Sequence, residues 1–445
     1  MEPVRLTMQP KKRYQIIEGF GASGAWWAQL VGGWPDPVRQ EIIKLLYSKT
    51  EGLGMGVYRY NLGGGSKESG KGNYWCPRRR ASDFLDENDN FDWSRDAEAV
   101  WCMEKAVRNG ADEVVLFVNS PPDRWTVSGM AQAKIPFRAN LPRKNELKFT
   151  TYVLDIAERF LAEGVPVKFI SPINEPFGPW SGKLSGQEGC HYWPRGARRL
   201  MRLFAKEMEK RPALDGVLLS GTENNNLRIM NKTYIRAIMN DPAIRKRLDG
   251  IDVHGYNDIP PLNKLGGAKR RLRKYMDKKY PGEKIRMTEW TEMRGGRDYG
   301  MESALVLANE VFEDLSVTNV VSWQLWIAVS EYDFCDGLIY IDKEKRTFDI
   351  PKRYYAFGNF TKFIPRGSIR VEIENPSDAI DALAFVTPEG GHIVVLRNPG
   401  EELQITLGEG AADLYTTDET RDLAQAQADL GMITLPARSV CTLIW

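Results

Sequence analysis

Val167-Lys168-Phe169-Ile170-Ser171-Pro172-Ile173-Asn174-Glu175-Pro176 runs from an apolar strand pattern straight into an Asn-Glu-Pro turn. A carboxylate at the carboxyl end of a buried strand, preceded by an amide side chain, is poorly placed for folding and well placed for chemistry. Proline keeps its own nitrogen out of a ladder and favours an extended residue before it. Glu175 is therefore expected to leave the strand extended, aimed away from the helix that follows.

Outward from that stretch, short apolar runs alternate with helical periodicity. Strands are predicted over 15–21, 56–61, 113–119, 167–174, 217–222, 251–254, 284–289 and 320–326. A helix is predicted after Pro37, with Val38, Ile42, Leu45 and Leu46 as its apolar face, and others over 93–110, 148–164, 194–211, 230–248, 263–280, 301–315 and 352–363. Eight strands alternating with eight helices form the pattern of an α/β-class (β/α)8 TIM barrel. An open doubly wound sheet is disfavoured by the strand count and by the absence of a G-x-G-x-x-G turn. Leu62-Gly63-Gly64-Gly65-Ser66 has neither the glycine spacing nor the lysine of a phosphate loop.

From Pro365 onward the helical period gives way to alternation at period two, over 369–373, 382–386, 392–397, 403–407, 413–416 and 440–445. That pattern reads as an antiparallel β-sandwich, and the edge strand 4–8, which has no place in the barrel, is assigned to it. The expected division is a catalytic barrel over residues 14–365 and an accessory β-sandwich domain of residues 1–13 plus 366–445, packed on the barrel.

Composition narrows the function. The 445 residues are 42% hydrophobic and 27% charged, enough for a large buried core. A formal charge of +2 implies neither nucleic acid nor an anionic surface as partner. The basic runs Arg78-Arg79-Arg80 and 269–274 read as solvated loop and helix faces. Five cysteines without a CxxC spacing read as reduced packing residues, and three histidines, none paired at helical spacing, argue against a metal catalyst. No cofactor is implied. No apolar run is long enough to span a membrane and no signal peptide is evident, so the expectation is a cytoplasmic protein, or a secreted one whose export signal has been removed.

Barrel chemistry sits at the carboxyl ends of the strands. Those ends carry Arg59, Asn119 and Trp125, Asn174 and Glu175, Thr222 and Glu223, His254 and Tyr256, Glu289 and Trp290, and Trp323, Gln324 and Trp326. Two glutamates thus stand on strands four and seven, across one barrel mouth, among arginine, amides and tryptophans. That is the apparatus for breaking a glycosidic bond, in which one carboxyl gives a proton to the leaving oxygen and the other attacks the anomeric carbon. Glu289 is expected as nucleophile, kept ionised by Arg59 and hydrogen-bonded by Tyr256. Glu175 is expected as acid and then base, and Asn174 as the partner of the sugar 2-hydroxyl.

Plainer readings stand beside these. The glutamates also suit helix caps, Glu223 and His254 suit supporting hydrogen bonds as well as substrate contacts, and single tryptophans are more often core than sugar platforms. Of the tryptophans, Trp323 and Trp326 are favoured as cleft walls over Trp26 and Trp75.

The chain resembles glycoside hydrolase family 30. The residues that carry the resemblance are Gly19-Phe20-Gly21-Ala22-Ser23-Gly24, Arg59, Asn119-Ser120-Pro121-Pro122, Asn174-Glu175-Pro176, His254-Gly255-Tyr256, Thr288-Glu289-Trp290, Trp323-Gln324-Leu325-Trp326 and Tyr354-Tyr355-Ala356-Phe357-Gly358-Asn359-Phe360. The resemblance implies a retaining β-glycosidase acting on an oligo- or polysaccharide, with Glu175 as acid/base and Glu289 as nucleophile. The stretch Arg59-Tyr60-Asn61-Leu62-Gly63-Gly64 lacks the aspartate that glucosylceramidase-like members place there. Together with Trp26-Trp27 it resembles the β-1,6-galactanase branch. The alternatives are β-1,6-glucanase, xylanase or β-xylosidase, β-glucosidase or glucosylceramidase, and a non-catalytic carbohydrate-binding barrel.

Overall fold

The computed structural model describes residues 2–228, 230–256 and 267–445. Its parallel sheet comprises Gly19–Ser23, Val57–Leu62, Glu113–Val118, Val167–Ser171, Leu218–Leu219, Thr222–Asn224, Ile251–His254, Ile285–Trp290 and Ser322–Leu325. Ser322–Leu325 pairs back onto Gly19–Ser23. The two ends of the ladder are Leu218–Leu219, paired with the fourth strand, and Thr222–Asn224, paired with the sixth. These are halves of one interrupted fifth strand. Across the break Ser220 N donates to Ile170 O (2.8 Å), while Asp252 N donates to Gly221 O (2.8 Å), so the backbone passes from one neighbour to the other and closes a barrel of eight. Gly21 is required where the first two strands meet, because a Cβ there would lie 2.1 Å from Val57 O.

The predicted first strand over 15–21 is in fact two. Thr7–Ile16 pairs antiparallel with Ile369–Glu374 in the sandwich, and only Gly19–Ser23 enters the barrel. The chain changes partner at Ile17, whose amide donates to Ser368 O and whose carbonyl accepts from Gly367 N. The predicted helix over 230–248 is also two, Asn231–Met239 and Pro242–Arg245. Pro242 has no amide to continue the first, and Asp241 caps the second through Ala243 N at 3.1 Å. Of the helix predicted over 263–280, residues 263–266 lie outside the described residues, and Gly267–Lys279 is helical. Its Lys269 is not solvated as expected. It is buried against Glu310 (2.6 Å), Asp314 (3.1 Å) and Glu313 (3.2 Å).

Beyond the barrel, seven antiparallel strands pair in the order Thr7–Ile16, Ile369–Glu374, Asp381–Val386, His392–Asn398, Ser439–Ile444, Ala411–Thr417 and Ala424–Asp429. A second sheet holds Val4–Arg5, Leu403–Thr406 and Ile433–Leu435. Period-two alternation sends Val371, Ala384, Val394, Leu396 and Leu443 to a core shared with Ile405, Ile433 and Leu435. It sends Leu383, Phe385, Ile393, Val395 and Val440 to the opposite face, where they join the apolar core of the barrel. The sandwich is thereby fused to the barrel through one continuous apolar layer. All five cysteines are free, and among the described residues no helix is long and apolar enough to cross a membrane.

Candidate active site

Arg59, on the second strand, is wholly buried and lies flat on the Phe117 ring, 3.8 Å from its centroid. Its Nη1 donates to Glu289 Oε2 (2.6 Å) and its Nη2 to Asn174 Oδ1 (2.8 Å), with Glu223 Oε2 at 3.6 Å. Asn174 Nδ2 donates to Asn119 Oδ1 (2.9 Å), and Asn119 Nδ2 to Asn61 Oδ1 (3.1 Å), so an amide chain fixes the orientation of Asn174. His254, at the end of the sixth strand, joins the carboxylates: Nε2 is 2.7 Å from Glu223 Oε2, and Nδ1 is 3.0 Å from Glu175 Oε1 and 3.6 Å from Glu289 Oε1. The Tyr256 hydroxyl faces the same cleft as Glu289, whose charge acts on it. Glu223 also accepts from Ser220 Oγ (2.6 Å) and Thr288 Oγ1 (2.7 Å) and has no exposed surface, which makes it a support for the site.

Both ring nitrogens of His254 face carboxylates, which requires both to be donors. Burial opposes that charge, yet Glu289, Glu175 and Glu223 together carry the imidazole up to about 10. The Glu223 carboxyl is held well below its ordinary value: its burial is overcome by Arg59, His254 and Ser220. For Glu289 the balance differs from the sequence expectation. The Arg59 contact is present, but burial outweighs the charges of His254 and Arg59 and lifts the carboxyl above its ordinary value, with Glu175 adding to the rise. Burial, then the charges of Glu289 and Glu175, raise the Tyr256 hydroxyl well above the usual phenol.

Glu175 does not leave its strand extended. Its φ of +45° places it in the left-handed region, sparsely populated by residues with a Cβ. Three hydrogen bonds hold it there against the preference imposed by Pro176: Glu175 N donates to Glu223 O (2.8 Å), while Trp180 Nε1 (2.8 Å) and Gly178 N (2.9 Å) donate to Glu175 O. Glu223 is itself at φ +51°, so two strained residues brace one another beneath the barrel mouth. As a result an oxygen of Glu175, an oxygen of Glu289 and a ring nitrogen of His254 all lie within 4.8 Å of one another. The cluster has the residue types of a metal site, but an imidazolium has no lone pair to offer a metal.

Both glutamates open into a cleft of about 700 Å³. The tryptophans divide differently from expectation. Trp26, Trp75, Trp180 and Trp326 line the cleft. Trp323 does not: its side chain points outward from the barrel, its indole N–H donates to Asp314 Oδ2 (3.0 Å), and its ring packs on Phe357. By strand alternation Gln324 points inward, buried, with Oε1 lacking a partner, and is not part of the cleft wall. Trp290 is buried against Trp323. Trp125 donates to the Asp89 carboxylate (3.2 Å) and packs edge-on against Tyr152, away from the cleft.

The basic run at 78–80 is not simply solvated either. Arg78 pairs with Glu331, Arg79 lies over the rings of Trp26 (4.1 Å) and Trp75 (4.7 Å), and Arg80 Nη1 donates to Ser66 O (3.1 Å). The segments that follow the second and fourth strands lock together through Glu188, which accepts from Gly64 N (2.8 Å) and Ser66 Oγ. Arg79, Tyr332 and Asp336 also line the cleft and carry no signal in the sequence, because they sit in segments without periodicity.

A (β/α)8 barrel with two strand-end glutamates in one aromatic cleft defines a glycosidase. The comparisons specify which: residues 3–340 match O-Glycosyl hydrolase family 30 and residues 367–443 match the Glycosyl hydrolase family 30 beta sandwich domain, so the chain belongs to glycoside hydrolase family 30 and acts on carbohydrate. It is 25% identical over 429 residues to an endo-beta-1,6-galactanase of Hypocrea rufa, covering 90% of this chain and 82% of that one. It is 21% identical over 430 residues to the lysosomal acid glucosylceramidase of Mus musculus, covering 91% and 79%. The fold is similar to that of a conserved exported protein from Bacteroides fragilis (TM-score 0.91, 22% identity, covering 99% and 100%). It is also similar to the catalytic domain of the GH30 xylanase C from Talaromyces cellulolyticus (TM-score 0.76, 17% identity, covering 99% of each chain).

Proposed function

We propose that the protein is a retaining β-glycosidase that works by double displacement, with Glu289 as nucleophile, Glu175 as acid/base and β-1,6-galactan as the favoured substrate. The observation that carries the mechanism is the spacing of Glu175 and Glu289, whose nearest oxygens come within 4.8 Å. A glycosidase that inverts needs about 6.5–9.5 Å between its carboxyl groups to seat a water, whereas retention uses about 5–5.5 Å. The choice of β-1,6-galactan rests on the similarity to the Hypocrea rufa galactanase over 90% of the chain.

Charge balance distributes the roles. Arg59 and His254 supply two positive charges to a buried cluster that holds three carboxyls, Glu175, Glu223 and Glu289. Neutrality leaves one proton, and since Glu223 is ionised, Glu175 and Glu289 share it. Glu289 accepts from the permanently charged Arg59 at 2.6 Å, whereas Glu175 faces His254, so the charge is assigned to Glu289 and the proton to Glu175. In the first step a Glu289 oxygen bonds to the anomeric carbon, the glycosidic C–O bond breaks, and the Glu175 proton passes to the leaving oxygen. In the second, Glu175 takes a proton from water, the resulting hydroxide bonds to the anomeric carbon, and Glu289 departs as carboxylate.

Proton NMR of the first-formed sugar, with linear β-1,6-galactan, β-1,6-glucan and xylan offered in parallel, tests both parts. Retention of the β-anomer with galactan cleaved fastest is expected. Inverted product would remove Glu289 from the nucleophile role, and preference for another glycan would replace the substrate.

A further inference from the structure

The cleft contains a second polar centre that the two glutamates leave unused. Asp336, in the segment after the eighth strand, is only 4% exposed, lines the cleft, and keeps its Oδ1 buried without a hydrogen-bond partner among the described residues. Its backbone is pinned: Thr291 Oγ1 donates to the Asp336 carbonyl (3.4 Å), Arg353 to that of Cys335, and Leu338 and Ile339 donate to Ala328 O. The main chain that carries the carboxylate is thus fixed at the cleft wall. Burial pushes the carboxyl up to about 6, with Ser330, Arg353 and Arg79 working against the rise.

Arg79 lines the same cleft. Among the described residues its guanidinium is held by the faces of Trp26, Trp75 and Tyr332 rather than by a carboxylate, and its Nε is buried without a partner. Arg79 acts on the charge of Asp336, yet neither side chain satisfies the other. A buried acceptor left unfilled is costly, and on a residue that lines a cleft the missing partner can be supplied by a ligand bound there. Each sugar hydroxyl both donates and accepts. Trp26 and Trp326, whose rings meet edge to face with centroids 5.0 Å apart, wall the same cleft as Asp336 and Arg79, so a sugar packed against these walls shares the cleft with both polar groups.

We propose that Asp336, with Arg79 beside it, is the specificity-determining contact that reads ring hydroxyls of the bound sugar other than the 2-hydroxyl. The proposal rests on the glycosidase reading above and identifies the group that selects the sugar.

The test uses the full chain, the Asp336→Asn variant, the aryl β-glycoside of the sugar cleaved fastest, and its 3-, 4- and 6-monodeoxy analogues. Asp336→Asn is expected to lose about 10- to 150-fold in kcat/KM on the parent glycoside. On one analogue, the one lacking the contacted hydroxyl, it should lose no more than about twofold. Unchanged kcat/KM on every substrate overturns the proposal, and so does an equal loss on the parent and every analogue, which marks an indirect effect. Should the variant not fold, the wild-type series decides: no analogue losing tenfold or more refutes the contact. Should the wild type hydrolyse none of the glycosides, the glycosidase reading fails first. Calorimetric binding of the same sugars to wild type and variant then judges Asp336, equal affinities counting against it.

Discussion

Replacing His254 with glutamine tests the electrostatic account most directly. His254 Nδ1 lies 3.6 Å from Glu289 Oε1, and at an effective dielectric constant of about 20 two unit charges at that distance attract by about 4.6 kcal/mol. Expressed on the Glu289 carboxyl this is about three pH units. His254→Gln keeps an amide donor and removes the charge, so the cluster must take up a second proton, and Glu289 is where it goes. The assay is the pH profile of kcat/KM on an activated aryl β-glycoside, whose departure does not depend on proton donation by Glu175. The acid limb then reports Glu289, and it should move to higher pH by as much as three units, with a matching loss of rate below it. A folded variant whose acid limb stays within half a unit of the wild type would falsify the charge-balance assignment.

Three other outcomes follow from the same structure. His254 stands at about 10 in the folded chain against 6.5 in the unfolded one, so its stabilisation is complete below pH 6.5 and is lost as pH rises through 10. Urea unfolding should show the wild type losing up to about 5 kcal/mol over that interval and His254→Gln losing much less; parallel curves would contradict this. Trp323→Phe removes the hydrogen bond to Asp314 and should cost about 1–3 kcal/mol of stability while leaving KM unchanged, whereas Trp26→Ala, at the cleft, should raise KM; a Trp323 variant with normal stability and a raised KM would reverse the placement. Phe385→Ala, in the sandwich layer that joins the barrel core, should cost about 3–5 kcal/mol and lower a single thermal transition of the whole chain. Two separate transitions would show that the sandwich folds by itself.

The strand-end residues were legible because a parallel barrel imposes a period. Apolar runs such as 113–118 and 167–171 have to be buried, and whatever polar residue ends them is carried to one rim; Arg59, Asn174, Glu175, His254 and Glu289 were readable for that reason. Strands without the pattern were not. Ala424–Asp429 reads Ala-Gln-Ala-Gln-Ala-Asp and is almost wholly exposed, and Ile433–Leu435 has three residues.

By itself, then, the sequence determined the barrel, the sandwich and which carboxylates share the mouth, since these follow from local periodicity and from the order of strands. Tertiary structure decided the rest. The left-handed backbone of Glu175 is set by Glu223 and Trp180 against the local preference of a residue before proline. The choice of Trp26 over Trp323 as cleft wall depends on which side of a strand faces the helices, and the placement of Asp336 at the cleft depends on the contacts its segment makes with Thr291 and Ala328. Each is an outcome of groups far apart in the chain competing for one place, and no local window of residues contains that competition.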